Sequence, residues 1–449
     1  MSNKNFTEGK ILVPLFKFAM PILIALFLQA LYGAVDLLIV GQFSTAAHVS
    51  AVATGSQMMQ MITMVIIGTA MGTTILLGQA IGKKLKEEAG KIVGSSIVFF
   101  GILAIGLTIF MLVINKPFTT LMQAPPEAFS HTLGYVMICS MGIIFIVAYN
   151  VLGSIMRAIG DSKTPLYTVL MASIFNVGGD LFFVKVLNLG APGAAIATVM
   201  AQAFSVILCL LFLRGKPLAF PVGKEYMHFD LPRIKRIIEL GFPVALQDLL
   251  VGVSFLAINS IVNSLGVVAS AGVGVAEKIC AFVMLVPSSF SQSLSVFVAQ
   301  NMGAGKKERA RQAMFCGMGM SLIAGFAMAY GSFFHGDLFA NIFTNNGEII
   351  YAAADYLKAY SIDCMLVSFL FCFIGYFNGS GHTKLVMVQG IMGAFLVRIP
   401  VSYYMSKLPN TSLFKIALAT PCSTILQIIL CTCIYIYLLK REKQRNRLG

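Results

Sequence analysis

Apolar runs of about twenty residues or more recur along the whole chain, and they leave few folds open. A helix needs about 20 such residues to cross the hydrocarbon core of a bilayer. Inside that core every backbone N–H and C=O must bond within its own helix or within a closed barrel. A barrel would show short alternating segments, whereas these runs are continuous. The expected class is an all-α integral membrane protein. Runs at 14–40, 48–77, 90–114, 130–153, 164–187, 192–213, 236–263, 269–299, 311–335, 350–377, 384–406 and 413–439 predict twelve transmembrane helices, called spans 1 to 12. Composition agrees: 58% of the 449 residues are hydrophobic and 11% charged, far from the balance of soluble domains.

The net charge of +14 invites a nucleic-acid reading, but its placement points elsewhere. Lys83, Lys84, Lys86 and Lys91, then Arg233, Lys235 and Arg236, then Lys306, Lys307, Arg309 and Arg311 cluster at alternate loops. The remaining loops hold only Lys116, Lys185, Lys407 and Lys415. That asymmetry predicts cytoplasmic termini and cytoplasmic basic loops, where anionic lipid head groups attract them. No basic segment is interleaved with aromatics on a soluble module, so no nucleic-acid partner is expected. All nine cysteines fall inside apolar runs without metal-ligand spacing and read as small packing residues. There is no P-loop and no Ser/His nucleophile constellation, so the chain is expected not to be an enzyme and to carry no catalytic residues.

The stretch from 214 to 236 is the longest polar interruption and divides the chain almost in half. It predicts a basic cytoplasmic linker between an N-lobe (1–220, spans 1 to 6) and a C-lobe (221–449, spans 7 to 12). The halves repeat at an offset of about 221 residues. Gly78-Gln79-Ala80-Ile81-Gly82 matches Ala299-Gln300-Asn301-Met302-Gly303, Gly160 to Thr164 matches the stretch from Gly381, and Ala19-Met20-Pro21 matches Gly241-Phe242-Pro243. Six spans per half is an even number, so both halves enter from the same side. The repeats are then parallel, related by a pseudo-two-fold axis along the membrane normal, with substrate expected between them.

Most acids sit in loops, but Asp36, Asp180, Glu277 and Asp363 fall well inside predicted helices, with Asp248 shallower. A buried acid in a membrane helix costs several kcal/mol unless it has a partner, a proton or a wet cavity. In span 1, Gln29 and Tyr32 lie seven and four residues before Asp36 and share its helical face. With a cytoplasmic N-terminus, spans 1 and 5 both run outward, so Asp36 and Asp180 reach the same outer depth. Asn176 lies one turn before Asp180 on the same face. Two carboxyls with neutral oxygens nearby suit a Na⁺, or a proton that they share. The plainer reading is that each acid pairs with a buried base or with backbone. Glu277 either lines a cavity or pairs with Lys278 or Arg398. Asp363 in mid-helix and Asp248 near the cytoplasmic mouth are further cavity candidates. Pro21 removes one backbone bond from span 1 and marks a place to bend. The 35 Phe and 25 Met allow an adaptable apolar cavity. Gly68-Thr69-Ala70-Met71-Gly72 lets helices approach closely.

These residues resemble the multidrug and toxic compound extrusion (MATE) family. The likeness rests on the two parallel halves, Gln29-x-x-Tyr32-x-x-x-Asp36, the GQAIG and AQNMG pieces, and Asn176-Val-Gly-Gly-Asp180 followed by Gly190-Ala-Pro-Gly193-Ala-Ala-Ile-Ala-Thr198. It covers nearly the whole chain and looks closer to the bacterial DinF and MepA-like branch than to the NorM or eukaryotic branches. The resemblance implies a MATE/MOP-type fold and an antiporter of the inner membrane. Such a protein exports cationic amphipathic drugs in exchange for H⁺ or Na⁺ by alternating access. It also implies a cation site at Asp36, Asn176, Asp180 and Thr198, with Tyr32 and Asn150 near it. Spacing from Gly381 puts the span 10 acid of the NorM branch at Val367, one turn past Asp363, so a NorM-style C-lobe site is in doubt. Cofactors other than the coupling ion are not expected, and a functional monomer is. The alternative is a lipid-linked oligosaccharide flippase of the same superfamily. It would need several cavity-lining bases, for which only Lys278, Arg398 and Lys358 are candidates.

Overall fold

A computed structural model describes residues 6–214, 218 and 220–448, without the side chains of 445–448. Residues 215–217 and 219 of the expected linker lie outside the described residues. Among the described residues every regular element is helical, as the backbone rule for hydrocarbon demands.

Spans 1 to 3 are α1 (Leu12–Phe43), α2 (Ala46–Gly82) and α3 (Lys86–Leu121). Span 4 is two helices, α4 (Pro126–Met141) and α5 (Ile143–Ala158), bent by 50°. The run at 130–153 predicts one continuous helix, and the break at Gly142 is a difference with a packing cause. A Cβ at Gly142 would collide with Val199, so the chain turns where a neighbouring helix presses on bare backbone. Span 5 is α6 (Lys163–Asp180) continued by a π-helical stretch (Leu181–Val186), and span 6 is α7 (Gly190–Arg214). Span 7 is α8 (Leu231–Asn263), and span 8 is α9 (Val267–Val283) with α10 (Leu285–Gly303). Then follow α11 (Lys307–Phe334), a short α12 (Gly336–Asn341) and α13 (Gly347–Gly379). Span 11 is α14 (Thr383–Met392), a second π-helical stretch (Gly393–Arg398) and α15 (Ile399–Ser406); span 12 is α16 (Leu413–Ala417) with α17 (Ala419–Leu448). Eleven helices among the described residues are long and apolar enough to cross a membrane, and the bent pair supplies a twelfth.

The chain forms two compact units. The first holds Phe16–Ala245 with Ala299–Lys306, and the described residues up to Gly9. Its core stacks Val40, Met58, Ile66, Val136, Ile143 and Ala194 from α1, α2, α4, α5 and α7. The second holds Lys10–Leu15, Leu246–Val298 and the chain from Lys307 onward. Its core gathers Ile258, Val273, Tyr356, Leu357, Cys364 and Ile416.

Small residues set the closest approaches inside the first unit. Lipid tails are as apolar as Leu, so membrane helices gain by van der Waals contact, and Gly brings backbones together. A Cβ at Gly68 would strike Ala245 of α8, one at Gly72 would strike the Ile237 carbonyl, and one at Gly241 the Thr69 carbonyl. The two matching motifs meet as well. A Cβ on Gly82 would strike the Gln300 carbonyl, and one on Gly303 the Gln79 carbonyl. Each Gly closes the fifth position of its motif and each Gln fills the second, so the contact is reciprocal, as a pseudo-two-fold requires. Gln300 Nε2 also donates to the Ala158 carbonyl at 2.7 Å, tying the end of α10 to the end of α5. The polar connection is anchored through Arg233, whose guanidinium bonds Glu88 at 2.6 and 3.0 Å and also reaches Asp230.

Gly72→Leu is expected to lower the melting temperature in detergent by several degrees or abolish monodisperse protein, because overpacking costs about 1–3 kcal/mol or more. Gly101→Leu, at a position with nothing within 4 Å, serves as the control and is expected to leave it unchanged.

Candidate functional site

Asp36 lies near the C-terminal end of α1, and Asp180 is the last residue of α6 before the helix widens into its π turn. Both side chains are buried, at 5% and 0% exposure, as is Asn176 one turn before Asp180. A π turn carries one extra residue and often marks a functional site. Here it follows the carboxylate directly.

The third element is α7. Its first turn begins at Gly190, whose φ of +58° suits glycine, and the Ala191 N–H donates to His48 Nδ1 at 3.1 Å. That bond ties the start of α7 to α2, while Gly193 lies against the backbone of Phe183 and Gly179 of α6 against Ala197, bringing α7 close to span 5. Two turns in, Thr198 Oγ1 donates to Asp36 Oδ2 at 3.4 Å, a long hydrogen bond. The carboxyl of Asp180 stands within interaction range of that of Asp36. The structure therefore brings Asp36, Asp180 and Thr198 together from three helices distant in sequence, with Asn176 buried on the Asp180 face.

The bonding at the site is incomplete. Asp36 Oδ1, both Asp180 oxygens, both Asn176 amide atoms and the Tyr32 hydroxyl are buried without a hydrogen-bond partner. Among the described residues no Lys or Arg pairs with either acid. Lys185, the nearest base in sequence, sits instead over the Phe43 ring at 4.8 Å. Buried polar groups normally find partners, and a lone buried charge costs several kcal/mol. The oxygens of Asp36, Asp180, Asn176 and Thr198 form a donor set of the kind a hard cation takes. Two adjacent carboxyls also suit a shared proton. The site thus has the chemistry to take up either.

The remaining predicted residues divide. Tyr32 stands within electrostatic reach of Asp36, Asp180 and Thr198. Gln29 points to another partner, donating to the Tyr149 hydroxyl at 3.2 Å. Asn150 satisfies its amide within its own helix, donating to the Ile146 carbonyl at 2.8 Å. Pro21 is buried inside an unbroken α1. In the second unit Glu277 accepts from Asn259 Nδ2 at 3.0 Å and leaves its other oxygen unpartnered. Asp363 is buried on α13 in electrostatic reach of Arg398. Asp248 on α8 is exposed. Sequence reasoning missed Tyr135 and Cys139, one turn apart on α4, which border Tyr32 and Asp36. The available signal was a tyrosine four residues before a cysteine on one face of an apolar helix.

Comparison with known proteins adds independent findings. The MatE family model matches residues 21–182 and again 243–404. The probable multidrug resistance protein YoeA of Bacillus subtilis is 25% identical over 440 residues, covering 96% of this chain and 94% of that protein. The multidrug export protein MepA of Staphylococcus saprophyticus is 21% identical, covering 90% and 89%. A crystal structure of MATE in complex with MaL6 superposes with a TM-score of 0.91 at 18% identity, covering 100% of both chains.

Removing the charge of Asp180 without changing its shape tests whether it holds the fold. Both its oxygens lack donors, so Asp180→Asn is expected to leave the melting temperature unchanged or raise it by a few degrees. A fall of more than about 5 °C would assign Asp180 a structural bond instead.

Proposed function

The chain belongs to the MatE family of membrane transporters, and on that basis we propose that it exports drugs by exchanging them for a cation bound at Asp36 and Asp180. The observation that carries the reading is the buried carboxyl pair with no base to neutralise it. A transporter needs a group whose charge state differs between its conformations, and an acid that must otherwise stay uncompensated is such a group. Asp36, Asn176, Asp180 and Thr198 would supply oxygens to Na⁺, or the two acids would hold protons. Tyr32 would lend its hydroxyl to whichever is bound. The ion is cargo of the exchange, and no other cofactor is invoked.

The drug side follows from the relatives, which carry the names of multidrug resistance and export proteins. An exposed carboxylate at Asp248, Glu277 with one free oxygen, and the many Phe and Met residues favour amphipathic organic cations. In this reading the protein is a multi-pass functional monomer of the inner (cytoplasmic) membrane, and the placement of the basic loops supports cytoplasmic termini.

Cation and drug must favour different states, or neither can drive the other. Binding at Asp36 neutralises a charge on α1, and Pro21 lies about four turns earlier on the same helix. A proline cannot donate to the carbonyl four residues before it, here Lys17, so α1 has a built-in place to bend. Neutralising Asp36 is therefore felt where the helix yields most easily, and alternating access follows from a change in its packing.

In proteoliposomes with imposed Na⁺ and pH gradients, Asp36→Asn is expected to lower gradient-driven drug efflux at least tenfold, a loss of about 1.4 kcal/mol or more of coupling. Drug binding without a gradient is expected to persist. Efflux by the variant at the wild-type rate would overturn the proposal, and imposing the two gradients separately identifies the ion.

A further inference from the structure

The two halves are related residue by residue, so each residue of the N-half site has a counterpart. Around span 1 the offset is 222: Pro21 answers to Pro243, buried Phe18 to buried Leu240, and buried Val40 to buried Val262. Asp36 then answers to Ile258, itself 1% exposed. Span 6 keeps the same offset. Ala195, Ala197 and Cys209 answer to Ala417, Ala419 and Cys431, all buried, and Thr198 answers to Thr420.

Span 5 needs one correction, and the structure supplies it. Early in the span, burial matches at 221, pairing Pro165 with Val386, Thr168 with Gln389 and Val169 with Gly390. The π-helical stretch Gly393–Arg398 then inserts one residue in the second half. From its last residue onward the buried positions match at 222, so Asn176 answers to Arg398 and Asp180 to Ser402. The neighbours Val397 and Val401, which the uncorrected offset would select, are not fully buried.

The counterpart of the acidic site is thus Ile258, Arg398, Ser402 and Thr420. Both acids are gone, and a guanidinium has entered. Arg398 is 5% exposed, its Nη1 donates to Ser254 Oγ at 2.9 Å, and its Cζ sits 4.5 Å from the Phe255 ring centroid. Asp363 supplies the nearby negative charge. Arg398 Nε, Ser402 Oγ and Thr420 Oγ1 are buried without partners. A guanidinium stays charged in proteins, so this side chain behaves as a cation that never leaves.

We infer that Arg398 is a tethered cation filling the second-half counterpart of the ion site, so that only the first half exchanges a coupling ion. The inference rests on the reading of Asp36 and Asp180 as the exchanging site. A fixed positive charge raises the Coulomb cost of any second cation nearby, and the missing acids remove its ligands. Asp363, in electrostatic reach of Arg398, offsets part of that charge without displacing the guanidinium from the site. The transporter accordingly moves the charge of one site per cycle, although its fold contains two.

The test rebuilds the lost site and counts ions. Na⁺ binding by calorimetry and proton uptake by a pH indicator are measured on the purified full-length protein. In wild type, binding is expected to vanish with Asp36→Asn. Ile258→Asp, Arg398→Asn and Ser402→Asp, combined in that Asp36→Asn background, are expected to restore one cation per chain. A folded, monodisperse combined variant that binds none overturns the inference. Should the combination fail to fold, Ser402→Asp alone decides. With Arg398 occupying the place of the ion, Ser402→Asp is expected to add none, whereas a second bound cation overturns the inference. Failure of the first-half reading looks different: wild-type binding would survive Asp36→Asn, while the counts from the rebuilt site still judge Arg398.

Discussion

Hydrocarbon offers no hydrogen bonds, and nearly everything in this protein answers to that fact. Backbone groups close on themselves, so the described elements are helices. Helices cannot be driven together by hydrophobicity among equally apolar tails, so they meet where side chains vanish. Gly68, Gly72, Gly82, Gly241 and Gly303 mark those places, each pressing on the backbone of a partner helix. The reciprocal contact of Gly82 with Gln300 and Gly303 with Gln79 shows the internal repeat acting as a packing surface as well as a pattern of letters.

Against that background a carboxylate without a donor stands out. Acids elsewhere have partners: Glu88 and Asp230 are held by Arg233, and Glu442 by Arg311 and Lys307. Asp36 and Asp180 have only a long bond from Thr198 between them. The same low dielectric that makes helices obligatory makes this pair expensive to leave charged and unpaired.

Much of this was legible beforehand. Span number, the repeat and the acids all show in one dimension, because bilayer thickness sets run length and a charge in an apolar run is conspicuous. The grouping of Asp36, Asn176 and Asp180 followed from depth and helical face alone. Asn150 and Gln29 show where such reasoning stops: a polar side chain on the right face is as easily satisfied by its own helix or by a tyrosine next door. The bend at Gly142 was hidden because its cause, Val199, lies in a different helix. Tyr135 and Cys139 were hidden because both look like ordinary core residues.

The sequence by itself determined the class, the helices, their repetition and the presence of acids inside apolar helices, since all of these depend on local composition and on the thickness of a membrane. Only the tertiary structure decided which oxygens meet, because a long-range contact such as Thr198 with Asp36 depends on how three helices pack. It alone also showed that the π turn at Gly393–Arg398 shifts the second half by one residue. Register within a helix is read by counting, but an inserted residue is visible only where burial is, and burial belongs to the fold.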